Sequence, residues 1–132
     1  MKQATVDHLA DADRSLAKAA AQMTLPLYDE AGRCAYYAMF HAAQGLVAER
    51  GLKPAKTHRG LRQLLARVAH AEPAFQSLVG PLTNSYQYKW IADYGPAGST
   101  VSAAEAQAAI AEATRFIATI RNALAPSALS PP

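Results

Sequence analysis

The sequence has few of the residues that build β-sheets, disulfides or membrane spans. Valine and isoleucine are sparse, and strict alternation of apolar and polar residues is absent, which argues against strands. The single cysteine, Cys34, excludes an internal disulfide and fits a reducing cytoplasm, where we expect the protein to reside. No apolar run reaches the roughly 18 residues of a membrane span, and MKQATVDHLADADR lacks the apolar region of a signal peptide. We therefore expect no membrane association.

Charged residues are also scarce, at 17% of the 132 residues, whereas apolar residues make up 51%. This is not the composition of a disordered chain, and the length suits one domain. We assign that domain to residues 1–125 and a disordered tail to 126–132. The net charge of +3 is too small to indicate nucleic-acid binding by itself, so its distribution matters more.

Acidic residues are absent between Glu49 and Glu72. The basic residues of this segment are Arg50, Lys53, Lys56, Arg59, Arg62 and Arg67, accompanied by His58 and His70. A surface that carries positive charge without acidic residues attracts phosphates. We take Lys56, His58, Arg59 and Arg62 as candidate contacts to RNA or a nucleotide. The alternative is a solvated face that happens to lack acids.

Apolar residues recur instead at the helical period, which predicts an all-α antiparallel bundle of four long helices plus a short helix. The apolar stripe expected for the first helix consists of Val6, Leu9, Leu16 and Met23. Thr24 and Pro26 are typical of a helix start, so a second helix is predicted from there to about Glu49. Helices are also predicted from near Thr57, over 73–79, and over 80–93. Ser102 and Glu105 fit a capping box that begins the last helix.

The second predicted helix is apolar on nearly every face within CAYYAMFHAA, residues 34–43. Such a helix is buried all round, either by other helices of its own chain or by a second chain. The second possibility predicts a homodimer through this region. Arg33, Tyr37 and His41 are spaced four apart and form one ridge, which could hold a phosphate or shuttle a proton. The alternative is a hydrogen-bonded edge of the core.

A second aromatic stretch, YQYKWIADYG, spans residues 86–95. Lys89 and Asp93 are spaced to pair on one helix face. Aromatic side chains beside a lysine can stack on bases, so Tyr94, together with Tyr37, is a candidate nucleotide contact. The same side chains also pack helical bundles, and that alternative stays open.

Three motifs in order, AYYAMFHAAQGLVAERGL, KTHRGL and KWIADYG, precede a long final helix. Over roughly residues 5–124 the chain resembles the HEPN (higher eukaryote and prokaryote nucleotide-binding) family, in its prokaryotic branch. The resemblance implies a helical bundle that dimerises and works in RNA cleavage, nucleotide binding or defence. Many members act as toxins beside a minimal nucleotidyltransferase partner. No cofactor and no metal is predicted.

Nucleases of this family use an arginine followed, after four to six residues, by a histidine, and two such motifs meet in a metal-independent site. Here seven residues separate Arg33 from His41. The resemblance leaves open a metal-independent endoribonuclease and a non-catalytic protein-interaction module. For the enzyme, His41 is the expected general acid or base, with Arg33 and Lys89 as phosphate contacts and Asp93 and Tyr94 as orienting groups. Lys89 occupies a position where relatives often carry arginine.

Overall fold

A computed structural model of the chain describes residues 1–95 and 99–125. Every regular element in this part of the chain is helical, so the predicted all-α fold is confirmed. The helices are α1 (Gln3–Thr24), α2 (Tyr28–Glu49), α3 (His58–Ala71), a 3-10 helix (Pro73–Leu78), α4 (Val79–Tyr94) and α5 (Ala103–Leu124). Four of them have 16 to 22 residues, and α3 has 14. The predicted tail, 126–132, lies outside the described residues.

None of the described helices is long and apolar enough to cross a membrane. Part of the loop predicted between α4 and α5, residues 96–98, also lies outside the described residues.

The central element is α2, which packs against α1, α3, α4 and α5. Thirteen of its 22 residues are buried, and eight of these are alanine or glycine. Small side chains allow neighbouring helices to approach closely, and the resulting dense packing leaves few voids. The chain's own helices therefore bury most of α2 and leave one edge, which includes Tyr37 and Phe40, half-buried.

The start of α2 was predicted at the wrong place. It begins at Tyr28 rather than near Thr24, and its N-cap residue Leu27 provides no side-chain hydrogen bond. The Thr24 hydroxyl instead donates to the carbonyl oxygen of Ala21, 2.7 Å away, at the end of α1. A threonine can satisfy backbone groups at either side of a turn, so its presence alone did not assign the boundary.

The predicted stripe of α1 is also wrong at one position. Val6 is 44% exposed, whereas the neighbouring Thr5 is fully buried, and Leu9 is buried as expected. The Thr5 hydroxyl donates to the Glu49 carboxylate at 2.9 Å, and the Lys2 backbone N–H donates to the same oxygen. This contact joins the start of α1 to the end of α2 and turns the polar residue inward.

Two other helices begin where they are predicted, and a side chain caps each of them. The Thr57 hydroxyl accepts a hydrogen bond from a backbone N–H in the first turn of α3, at 3.0 Å. Ser102 and Glu105 form the reciprocal capping box of α5. The loop before α5 is fixed further by the Asp29 carboxylate, which accepts a hydrogen bond from the Val101 backbone N–H at 2.7 Å.

The contact between α2 and α4 is tight at Gly32. A Cβ added to this glycine would lie 3.1 Å from the Cβ of Tyr88 and 3.3 Å from its Cγ. We expect Gly32→Ala to lower the free energy of unfolding by about 1 kcal/mol, because overpacking typically costs more than the gain in helix propensity. Urea denaturation followed by circular dichroism measures the change.

Gly80→Ala is the matched control, because a Cβ there meets no atom within 4 Å. The gain in helix propensity is opposed by the restriction on a residue that precedes a proline, here Pro81, so the change should stay within about 0.5 kcal/mol. A Gly32→Ala protein as stable as the wild type would show that α4 does not press on α2 at this point.

Candidate functional site

A cleft of about 380 Å³ lies between the start of α3 and the middle of α4. We call it the basic cleft. Its lining residues are Thr57, His58, Arg59, Arg62, Thr83 and Tyr86. Three of the predicted nucleotide contacts, His58, Arg59 and Arg62, thus share one concavity, and the exposed Lys56 lies just before it in the chain.

His58 is held in the basic cleft from two sides. Its ring stacks on the Tyr86 ring, with centroids 4.2 Å apart and an angle of 17° between the planes. Its Nδ1 atom lies 2.9 Å from the Tyr36 hydroxyl oxygen. Burial raises the pKa of Tyr36 far above its usual value, so that hydroxyl keeps its proton, and we assign it as the donor to Nδ1. The neutral imidazole then carries its proton on Nε2.

The protonation state of His58 follows from its surroundings. Burial, and then the positive charge of Arg62, lower the pKa of His58 from its usual value of 6.5. The ring is therefore mainly neutral at pH 7. In this tautomer the ring can donate a hydrogen bond from Nε2–H to a phosphate oxygen. When the ring is protonated, the Tyr36 hydroxyl accepts from Nδ1–H instead, and the imidazolium can deliver its Nε2 proton as a general acid.

A second group of predicted residues meets around Asp93, and we call it the Asp93 cluster. The Asp93 carboxylate accepts hydrogen bonds from Lys89 Nζ at 2.6 Å and from Arg33 Nη1 at 3.1 Å. Arg33 also donates to Glu30 at 2.6 Å. The hydrogen bond from Lys89, and then that from Arg33, lower the pKa of Asp93. Both cations thus already have carboxylate partners, which a phosphate would have to displace.

Lys89 belongs to the Asp93 cluster and also lies near Tyr86, a residue of the basic cleft. Its ammonium group is 5.9 Å from the centre of the Tyr86 ring and 5.7 Å from that of Tyr94. Tyr94 is 66% exposed, whereas Tyr37 is half-buried and packs edge-on against Tyr36 at 5.3 Å. Of the two candidate tyrosines, Tyr94 is the one open to solvent.

His41 does not join the other residues of the predicted catalytic set. It follows Arg33 by eight residues on α2, which places it about 12 Å further along the helix axis. There it faces α1, where its ring nitrogens approach the side chains of His8 and Asp11. The structure brings Arg33, Lys89 and Asp93 together and leaves His41 on the side of α2 that packs against α1.

Part of the basic segment has a structural role. Arg50 forms two hydrogen bonds to the Glu72 carboxylate, at 2.6 and 2.7 Å, and its guanidinium lies 5.8 Å from the centre of the Phe75 ring. This pair joins the end of α2 to the end of α3. Arg50 is therefore engaged away from the residues that line the basic cleft.

Sequence reasoning assigned no binding role to Tyr86 or Tyr36, although both position His58. Tyr86 was placed among aromatic residues that either pack the bundle or stack on bases. The signal that joins it to His58 is non-local, because the two residues are 28 positions apart and meet only where α3 and α4 pack. The order of the helices, rather than any spacing in the sequence, creates this contact.

Comparison with known proteins agrees with the motifs and with the helical bundle. Residues 5–123, which include the basic cleft and the Asp93 cluster, match the model of a family described as the HEPN domain. A protein named "Putative toxin MJ0605", from Methanocaldococcus jannaschii, is 33% identical over 114 residues, which cover 86% of this chain and 83% of that relative. The chain belongs to the HEPN family.

Proposed function

We propose that this protein is the HEPN component of a toxin–antitoxin module and that it binds RNA or a nucleotide at the basic cleft. The observation that carries the proposal is the pair of arginines in the cleft. Arg59 and Arg62 have no carboxylate partner within residues 1–95 and 99–125. The relative named as a toxin supports the module.

The position of these arginines favours a phosphate ligand. Both lie in the first two turns of α3, at the positive end of the helix dipole, where anions are stabilised. Lys56 adds a third exposed cation immediately before the helix. The cations, the dipole and the first-turn N–H groups therefore act on the same ligand.

A neighbouring surface offers a place for a base. A second concavity, of about 660 Å³, shares Thr83 and Tyr86 with the basic cleft and extends to Trp90 on α4. Trp90 is 45% exposed, and an exposed indole can stack on a base of a single strand. A strand with its phosphates at Arg59 and Arg62 could therefore place a neighbouring base on Trp90.

Arg62→Ala tests phosphate binding at the cleft. We expect it to weaken binding of a single-stranded RNA oligonucleotide about fivefold, because one phosphate contact is lost. The slope of log affinity against log salt concentration should fall by about 0.7, the value for one contact on a single strand. Fluorescence anisotropy at several salt concentrations measures both quantities.

Arg67→Ala is the matched control, because Arg67 is an exposed arginine of the same helix that does not line the cleft. Its affinity and salt slope should stay close to the wild-type values. Equal losses in the two variants would mean that binding follows total charge only. If the wild type fails to bind RNA or nucleotides, the non-catalytic protein-interaction module becomes the better proposal.

A second candidate function is metal-independent cleavage of the bound RNA. The specific observation that favours it is the position of His58, whose ring is oriented by Tyr36 and lines the same cleft as two arginines. General acid–base catalysis by a histidine and stabilisation of a phosphate by cations are the two requirements of such a reaction. In this proposal His58, in its protonated form, takes the general-acid part of the role that the sequence suggested for His41.

Histidine variants distinguish the two assignments. His58→Ala should reduce cleavage of a labelled RNA by about a hundredfold, the lower range for loss of a general acid or base, while His41→Ala should cleave at the wild-type rate. Assays in the presence of a chelator exclude a contaminating metal-dependent nuclease. The reverse pattern would return the role to His41, and equal activity of both variants would remove histidine catalysis.

Two protein partners complete the proposal. The toxin name of the relative supports an antitoxin partner, and we propose that this partner is a minimal nucleotidyltransferase, as the resemblance implies for many members of the family. A homodimer through α2 is supported by Tyr37 and Phe40, which are half-buried along the outward edge of this otherwise buried helix. A second copy could cover these two rings.

Phe40→Lys tests the dimer. In a two-fold contact the substitution places two ammonium groups in one apolar interface, so the variant should sediment as a monomer while the wild type sediments as a dimer. Trp90→Lys is the control, because Trp90 lies on α4 and its loss should leave the dimer intact. A wild-type chain that sediments as a monomer at high concentration would contradict the proposal.

A further inference from the structure

We propose that His8, Asp11 and His41 form a binding site for a divalent transition-metal ion of the zinc class. One nitrogen of each imidazole and one carboxylate oxygen all lie within 4.8 Å of one another. The site joins α1 to α2 and involves none of the residues that line the basic cleft. It therefore stands independently of the proposed RNA binding.

The chemistry of these three ligands fits zinc. Two imidazoles and one carboxylate are a ligand set that catalytic zinc sites use, with the fourth position left for water or another ligand. Calcium and magnesium are not the preferred ions here, because these hard cations bind oxygen ligands and two of the three ligands are imidazole nitrogens. All three side chains are half-buried, so none of them is sealed in the core.

The distances are close to those that a bound ion requires. Ligand atoms around a tetrahedral zinc lie about 3.3 Å apart, since each bond is about 2.0–2.1 Å long. Closing the longest separation therefore takes at most about 1.5 Å, a distance that changes in side-chain torsion angles can cover. His8 and Asp11 share a face of α1 because they are three residues apart.

The helices that carry the ligands are held firmly at this point. Gly45 follows His41 by one turn of α2, and a Cβ added to it would lie 3.4 Å from both the Cβ of His8 and the Thr5 carbonyl oxygen. Ala12 and Ala42, next to the ligands in the chain, are completely buried. Close packing thus brings the three side chains together before any ion binds.

Neither imidazole has another bonding partner among the residues that the structure describes. The hydrogen bonds of this part of the chain include none from His8 or His41. Asp11 pairs with Arg14, but the Arg14 side chain is 67% exposed, and an exposed pair contributes at most about 1 kcal/mol. A metal ion displaces Arg14 at little cost.

Isothermal titration with zinc chloride, on the full chain without an affinity tag, tests the site. We expect one zinc ion per chain in the wild type. His8→Ala and His41→Ala should each weaken binding by at least about tenfold, because each removes one ligand. Cobalt(II) should give visible absorption bands typical of nitrogen coordination in the wild type but in neither of the two ligand variants.

Two control variants make the result specific. His70→Ala removes an exposed histidine of α3 and should bind zinc like the wild type, and Arg14→Ala should bind equally or more tightly. Zinc should raise the melting temperature of the wild type and of both controls, but not of the two ligand variants, whose fold circular dichroism verifies. Absence of zinc binding in the wild type, or wild-type affinity in both ligand variants, would overturn the proposal.

Discussion

Burial of most of α2 by four other helices is the constraint on which the rest of the structure depends. Its alanines and glycines keep the neighbouring helices close, and α1, α3, α4 and α5 are positioned by contact with it. The side chains that escape complete burial lie along one edge, which carries Arg33, Tyr37 and His41. Because α4 and α1 flank different parts of this edge, Arg33 meets α4 while His41 meets α1.

Local signals predicted much of the fold. The helix start near Thr57 and the capping box at Ser102 were correct, because such signals depend on side chains within one turn of the helix start. The all-α class followed from apolar periodicity, which is repeated in every long helix. The start of α2 failed because Thr24 satisfies the end of α1 instead. The burial of the Thr5 side chain depends on its hydrogen bond to Glu49, 44 residues away. No local sequence pattern encodes such a contact.

The candidate site was predictable in composition but not in arrangement. The sequence identified His58, Arg59 and Arg62 as one group because they lie close together on one helix. It also joined Arg33 and His41, which the geometry separates. The stack of His58 on Tyr86 and the approach of His8 to His41 arise between helices, so they require the order of packing. Residues on one face of a helix can therefore contact different neighbouring helices, as Arg33 and His41 do.

The hydrogen bond from Tyr36 to His58 also restricts which ligand atoms the basic cleft can receive. With Nδ1 already accepting, the ring offers the cleft only its Nε2–H, and the guanidinium groups of Arg59 and Arg62 are donors without acceptor capacity. Apart from the hydroxyl groups, the polar lining therefore selects atoms with lone pairs. Phosphate oxygens and the keto oxygens of uracil or guanine match it, whereas the exocyclic amino groups of adenine and cytosine do not.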